Sequence, residues 1–143
     1  MERVHLPNRR DRDTVTRLEV EVSGIRCFLT TGEYDDGTLG EIFIDIERAS
    51  LPKDIREEGA QAALEVTDTL KSVFSLLAVS VSLGLQHGTP LSEYVDAFAH
   101  TNFPPQGMVQ GSDRIAFAKS LADWIFRELG LRYLGREEYA NRR

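Results

Sequence analysis

Residues 68–88, DTLKSVFSLLAVSVSLGLQHG, decide the fold. From Val73 to Leu85 almost every residue is apolar or small. Apolar residues at 70, 73, 74, 77, 81 and 85 form a helical stripe, while Leu76, Val79 and Leu83 fall on the opposite side. A helix that is hydrophobic nearly all round belongs in a core or in a bilayer. This apolar run is only about 13 residues and carries Ser75, Ser80 and Ser82, short of the roughly 20 that span a membrane. It therefore reads as the buried central helix of a soluble protein with no membrane partner, stopped by Gly88 and Pro90.

Upstream, the periodicity changes from helical to alternating. In Thr14–Val22, Thr14, Thr16, Leu18, Val20 and Val22 alternate with Arg17, Glu19 and Glu21, the period-two pattern of a half-buried strand. Ser23-Gly24 makes a turn into a second strand, Ile25–Thr31. Asp36-Gly37 makes another turn, and Glu41–Glu47 alternates again with Ile42, Ile44 and Ile46 on one face. Three strands joined by short turns form an antiparallel meander. Pro52 and Ser50 suit a helix start, and Gly59 interrupts the segment before the long helix resumes near Gln61. A short helix follows Pro90, with Leu91, Tyr94, Val95 and Phe98 on its apolar side. Residues 100–111, with Pro104-Pro105 and Gly107, read as loop. Ser112 is expected to cap the last helix, with Ile115, Ala118, Leu121, Ala122, Ile125 and Leu129 inward. The fold class is α+β: a three-stranded meander, then a long central helix, a short helix and a C-terminal helix packed on one face. Residues 1–13 are a basic irregular lead-in, 14–135 a single domain, and 136–143 a charged tail.

A chain of 143 residues with 41% hydrophobic and 28% charged content supports one ordinary core. Its net charge of −6 argues against broad non-specific binding to nucleic acid or acidic membranes. The sole cysteine, Cys27, forms no internal disulfide and supplies no CxxC site, and it reads as a buried strand residue. The N-terminal MERVHLPNRRDRD has no apolar signal-peptide core, so a cytoplasmic location is expected.

Chemistry-bearing residues are sparse. Asp35, Asp36 and Glu41 gather near one turn, and His87 and His100 follow two successive helices. Together they would be the polar site of a small hydrolase, but a DDG turn and helix-end histidines serve structure more often than catalysis. No GxGxxG, Walker or GxSxG pattern is present, and no metal or cofactor site is expected. Arg9, Arg10, Arg12 and Arg17 crowd the start and are the candidate contacts to phosphate or nucleic acid, although basic ends are more commonly solvated.

Four segments carry a family resemblance. LPNRRDRDTVTRLEVEVSG (residues 6–24) and GEYDDGTLGEIFIDI (32–46) resemble the opening of the C-terminal region of adenosylcobalamin-dependent ribonucleotide reductases. SLGLQHGTPLSEYVDAFAHTNFPPQGMV (82–109) and IAFAKSLADWIFRELGLRYL (115–134) resemble its later elements. That module is related to the TSCPD domain, and here Ala118-Lys119-Ser120-Leu121-Ala122-Asp123 stands at the motif without its cysteine. The segment between Ile46 and Leu70 reads as longer than the family pattern. A reductase's barrel, radical cysteine and redox dithiol find no counterpart, so ribonucleotide reduction is not expected of this chain alone. The resemblance implies a stand-alone, non-catalytic binding or interaction module, docking on a reductase subunit and acting in nucleotide metabolism. Recruitment to bind a nucleotide or nucleic acid, in a phage or defence setting, is the alternative. A homodimer is expected, with Ala62, Leu64 and Val66 on the added helical segment as the candidate interface.

Overall fold

The computed structural model describes residues 15–49 and 59–141. Three strands, β1 (Val15–Val22), β2 (Ile25–Glu33) and β3 (Leu39–Arg48), form the expected antiparallel meander. Register places Val20, Cys27 and Ile46 side by side, and likewise Leu18, Leu29 and Ile44. Residues directly opposite share a face, so one face is apolar and buried. The other carries Arg17, Glu19, Arg26, Phe28, Asp45 and Glu47.

The sheet is larger than the meander. The loop expected over 100–111 contains a strand, β4 (Gly107–Gln110), which pairs with the end of β1. β5 (Phe117–Ala118) pairs with β4, giving the order β3-β2-β1-β4-β5. Pro105 sits just before β4, where its missing N–H breaks no ladder. Gly107 and Gly111 at the strand's ends take positive φ.

Three helices follow the meander: α1 (Ala60–Gln86), α2 (Leu91–Phe98) and α3 (Leu121–Leu134). α1 is not the buried centre. It lies along β3, the open edge of the sheet, and covers it. The Ser82 hydroxyl donates to Ile42 O and accepts from Ile42 N at 3.1 and 2.9 Å, and the Gln86 amide donates to Gly40 O. These bonds satisfy backbone groups that an edge strand otherwise leaves bare. Phe74, Ala78 and Val81 are buried on the inner side of α1, whereas Val66, Val73, Leu76, Val79 and Leu83 on its outer side are 47–70% exposed. Its Leu64–Gln86 portion is long and apolar enough to cross a bilayer by length and composition. In this fold, however, its inner side is packed on the sheet.

The buried helix is α3. Every residue from Leu121 to Gly130 is buried, including Trp124 and Phe126. Ser120 rather than Ser112 is its N-cap, accepting from Asp123 N at 2.8 Å. Ser112 instead accepts from Trp124 Nε1 and Ile115 N at 3.3 Å. Ile115 and Ala118 are buried as expected, but from the loop and β5 before the helix. Gly135, left-handed, closes α3. Of the segment read as a charged tail, a 3₁₀ turn at Glu137–Tyr139 presses Tyr139 into the core against Gly130, where a Cβ would stand 2.7 Å from the ring.

Candidate interaction surface

The densest polar cluster lies where α3 begins. Asp123 is wholly buried. Its Oδ1 accepts from His100 N at 2.7 Å, and its Oδ2 from Lys119 N at 2.9 Å and Arg127 Nη1 at 3.2 Å. Arg127, one helical turn on, also donates to Phe117 O at 2.8 Å and Tyr139 O at 2.7 Å. Ser120 Oγ donates to Thr101 O at 2.8 Å. Each partner is a backbone group of a segment that must converge here: the α2–β4 loop, β5 and the C-terminal turn. The cluster is a structural clasp: both Asp123 oxygens and both Nη atoms of Arg127 are spent on the chain itself, while the buried Arg127 Nε has no hydrogen-bond partner among the described residues. This clasp is built on the Ala118–Asp123 segment, whose spacing alone did not reveal it.

The other polar residues singled out from the sequence are separately engaged. Asp36 accepts from Thr38 N and Thr38 Oγ1 at 3.0 and 2.6 Å, which holds the turn and lowers the carboxyl's pKa. Asp35 is exposed in the same turn, and Glu41 lies in β3. His87 follows the last turn of α1, its Nδ1 2.8 Å from Leu83 O. His100 packs edge-on to Tyr139, its Nδ1 3.7 Å from Asp123. No group of three or more His, Cys, Asp or Glu side chains is placed to hold a metal ion among the described residues. Arg17 lies over the Phe28 ring, 4.4 Å from its centroid, on a sheet face where Arg26 is ringed by Glu19, Glu21 and Glu47. Arg9, Arg10 and Arg12 lie outside the described residues. Cys27 is fully buried, and burial, with the charge of Asp45, pushes its thiol up to about 12.

The feature that the fold leaves unused is apolar. The outer side of α1 presents Val66, Val73, Leu76, Val79 and Leu83 to solvent, and exposed Phe43 of β3 adjoins Val79 and Leu83 around a recess of about 270 Å³. Toward the start of α1, a groove of about 870 Å³ runs between Ala62, Val66 and Val73 on one side and Ile25 and Pro104 on the other. Of the three residues expected at an interface, Ala62 and Val66 are exposed along this groove and Leu64 is partly buried. Exposed apolar patches are characteristic of contact sites in proteins generally. The residues that extend it, from Val73 to Leu83, read as core in the sequence because periodicity cannot distinguish a helix packed on both sides from one packed on a single side.

The architecture defines a small α+β domain, a five-stranded antiparallel sheet with one edge capped by a long helix and one face filled by another. Comparison with known proteins gives its family. The TSCPD domain matches residues 4–133, and the chain belongs to that family. A vitamin B12-dependent ribonucleotide reductase of Bradyrhizobium diazoefficiens is 45% identical over 140 residues, covering 98% of this chain and 10% of the relative. The corresponding reductase of Agrobacterium fabrum is 44% identical over 140 residues, covering 98% and 9%. That of Streptomyces avermitilis is 32% identical over 113 residues, covering 79% and 10%. The chain thus spans about a tenth of the length of the curated relatives it matches. No solved structure matches it.

Proposed function

We propose that this chain is a non-catalytic protein-contact module of the cytoplasm, acting in nucleotide metabolism beside a B12-dependent ribonucleotide reductase, with the outer side of α1 as its docking face. One observation carries the reading: among the described residues the polar clusters hold the fold together, while the outer side of α1 exposes Val66, Val73, Leu76, Val79 and Leu83. Kinship to one segment of the reductases supplies the setting. Fold kinship by itself transfers no activity.

The test is sedimentation of the fluorescently labelled chain, alone and with purified B12-dependent reductase from the same cells. Association with itself or with the reductase, lost in Leu76→Glu, is the expected result. Leu76 is 70% exposed, so this change leaves the fold intact. A chain that associates with neither refutes the module. Association untouched by Leu76→Glu refutes the docking face.

A further inference from the structure

Along α1, Val66, Thr69, Val73, Leu76, Ser80 and Leu83 recur at alternating steps of three and four, and all six are exposed. This 3.5-residue period keeps one seam of a helix aligned with a second helix. The core uses a different set, Thr67, Phe74, Ala78 and Val81. The seam therefore takes no part in the domain's own packing among the described residues. It runs about 25 Å from Val66 to Leu83 at 1.5 Å per residue.

Among the described residues, no other helix of this chain offers such a face. α3 is buried from Leu121 to Gly130, and the apolar residues of α2 are packed against the core. Within this chain the fitting partner is α1 of a second copy. Self-pairing requires that like meet like without repulsion, and no Asp, Glu, Lys or Arg lies between Lys71 and Glu93. Reversing one helix about a point between Phe74 and Ser75 layers Val66 on Leu83 of the second copy, Thr69 on Ser80, and Val73 on Leu76. Each large pair meets a large pair, and the two small residues coincide. The same reversal layers Glu65 on Gly84 of the second copy, where no like charge meets it, and opposes the two helix dipoles.

We infer that α1 is a self-association surface through which two copies of this chain pair antiparallel, with Val79 and Phe43 flanking the seam. This rests on the reading of α1 as a protein-contact face and names its partner.

Sedimentation velocity over a concentration series, followed by cysteine cross-linking, tests it. The full chain is expected to be a dimer and Leu76→Glu a monomer with unchanged circular dichroism. With a short bifunctional thiol reagent, the double variant Val66→Cys/Leu83→Cys forms covalent dimers. Each single variant does not, because equivalent positions lie about 25 Å apart along antiparallel helices. Buried Cys27 does not compete. Cross-linking of Val66→Cys alone signals parallel helices and overturns the pairing. So does a dimer unmoved by Leu76→Glu, or a monomer that instead adsorbs to lipid vesicles. A monomer at every concentration that still binds the reductase through Leu76 overturns self-pairing but keeps the contact module. Binding to neither removes both.

Discussion

Removing the Asp123 carboxylate tests the clasp at the start of α3. In Asp123→Ala, Arg127 keeps its charge with 6% of its surface exposed and loses its counter-ion. Breaking a buried ion pair by deleting one partner costs about 3–5 kcal/mol. The amides of His100 and Lys119, which donate to the carboxylate at 2.7 and 2.9 Å, lose their acceptor in the same step. Net stabilities of domains this size are about 5–15 kcal/mol, so the change removes a fifth or more of the total. Asp123→Asn discards the same charge but keeps the shape and one acceptor oxygen, so it should cost less than the alanine change. It should unfold at a higher urea concentration than the alanine variant.

Urea unfolding followed by fluorescence is the assay, since Trp124 is the only tryptophan, is buried and adjoins Asp123. A midpoint shift at constant slope reads stability. Removing both charges, as in Asp123→Asn/Arg127→Met, leaves no unpaired ion. The double variant should therefore be less destabilised than the sum of the singles by about 1 kcal/mol or more. Strict additivity, or an Asp123→Asn midpoint equal to the parent's, refutes the account of a coupled buried pair.

Three further outcomes follow from single contacts. A Cβ at Gly84 would stand 1.7 Å from the Tyr94 hydroxyl, so Gly84→Ala lowers stability by about 1–3 kcal/mol. Adding Tyr94→Leu recovers much of the loss, and thermal melts of the pair check this. Ser82→Ala removes two bonds to the β3 edge at Ile42 and costs about 1–2 kcal/mol; amide hydrogen exchange should quicken at Ile42 before the rest of the sheet. Burial raises Cys27 from 9.0 to about 12 and Tyr133 from 10.0 to about 12. The folded state thus holds both protons more tightly, and the stability this provides is complete below pH 9 and declines toward pH 12. Urea midpoints measured through this range should fall less steeply in Cys27→Ala, and an unchanged slope counts against the thiol.

Alternation and turn residues made the meander legible, because strict period two over β1 and β3 admits one reading and the Ser23-Gly24 and Asp36-Gly37 turns lie between the strands. Short strands were not. β4 is four residues and β5 two, and both owe their extension to pairing with β1 and with each other, which no local pattern in Gly107–Ala118 records. The helix start slipped from Ser112 to Ser120 because both serines precede an acidic residue and an apolar run. Tertiary demand decided between them, as Ser112 is taken by Trp124 and Ser120 by Asp123 N. Burial was misassigned between α1 and α3 for a related reason. α3 carries Asp123, Arg127 and Glu128, which composition places at the surface, yet α3 is the buried helix: Asp123 and Arg127 pair with each other and with backbone groups, and Glu128 Oε1 pairs with Arg132. The candidate contact face was legible only as excess hydrophobicity, since its side of α1 is fixed by where β3 lies.

The two faces of α1 are under separate demands. Capping the sheet requires Ser82, Gln86, Phe74, Ala78 and Val81, and all of them lie on the inner side. Nothing in that role requires Val73, Leu76, Val79 or Leu83. A lysine or glutamate at any of these four would leave every inner contact in place and spare water contact with apolar surface. An exposed apolar seam that packing among the described residues does not need is what the proposed contact outside the fold would use. The faces should therefore separate under mutation. Phe74→Ala should lower stability by about 3–5 kcal/mol in the Leu76→Glu background, from which the proposed self-association is removed. Leu76→Glu and Val73→Glu should abolish association while the isolated domain's unfolding midpoint stays within about 0.5 kcal/mol of neutral. If Leu76→Glu instead unfolds the domain as severely as Phe74→Ala does, the outer side of α1 is part of the core after all.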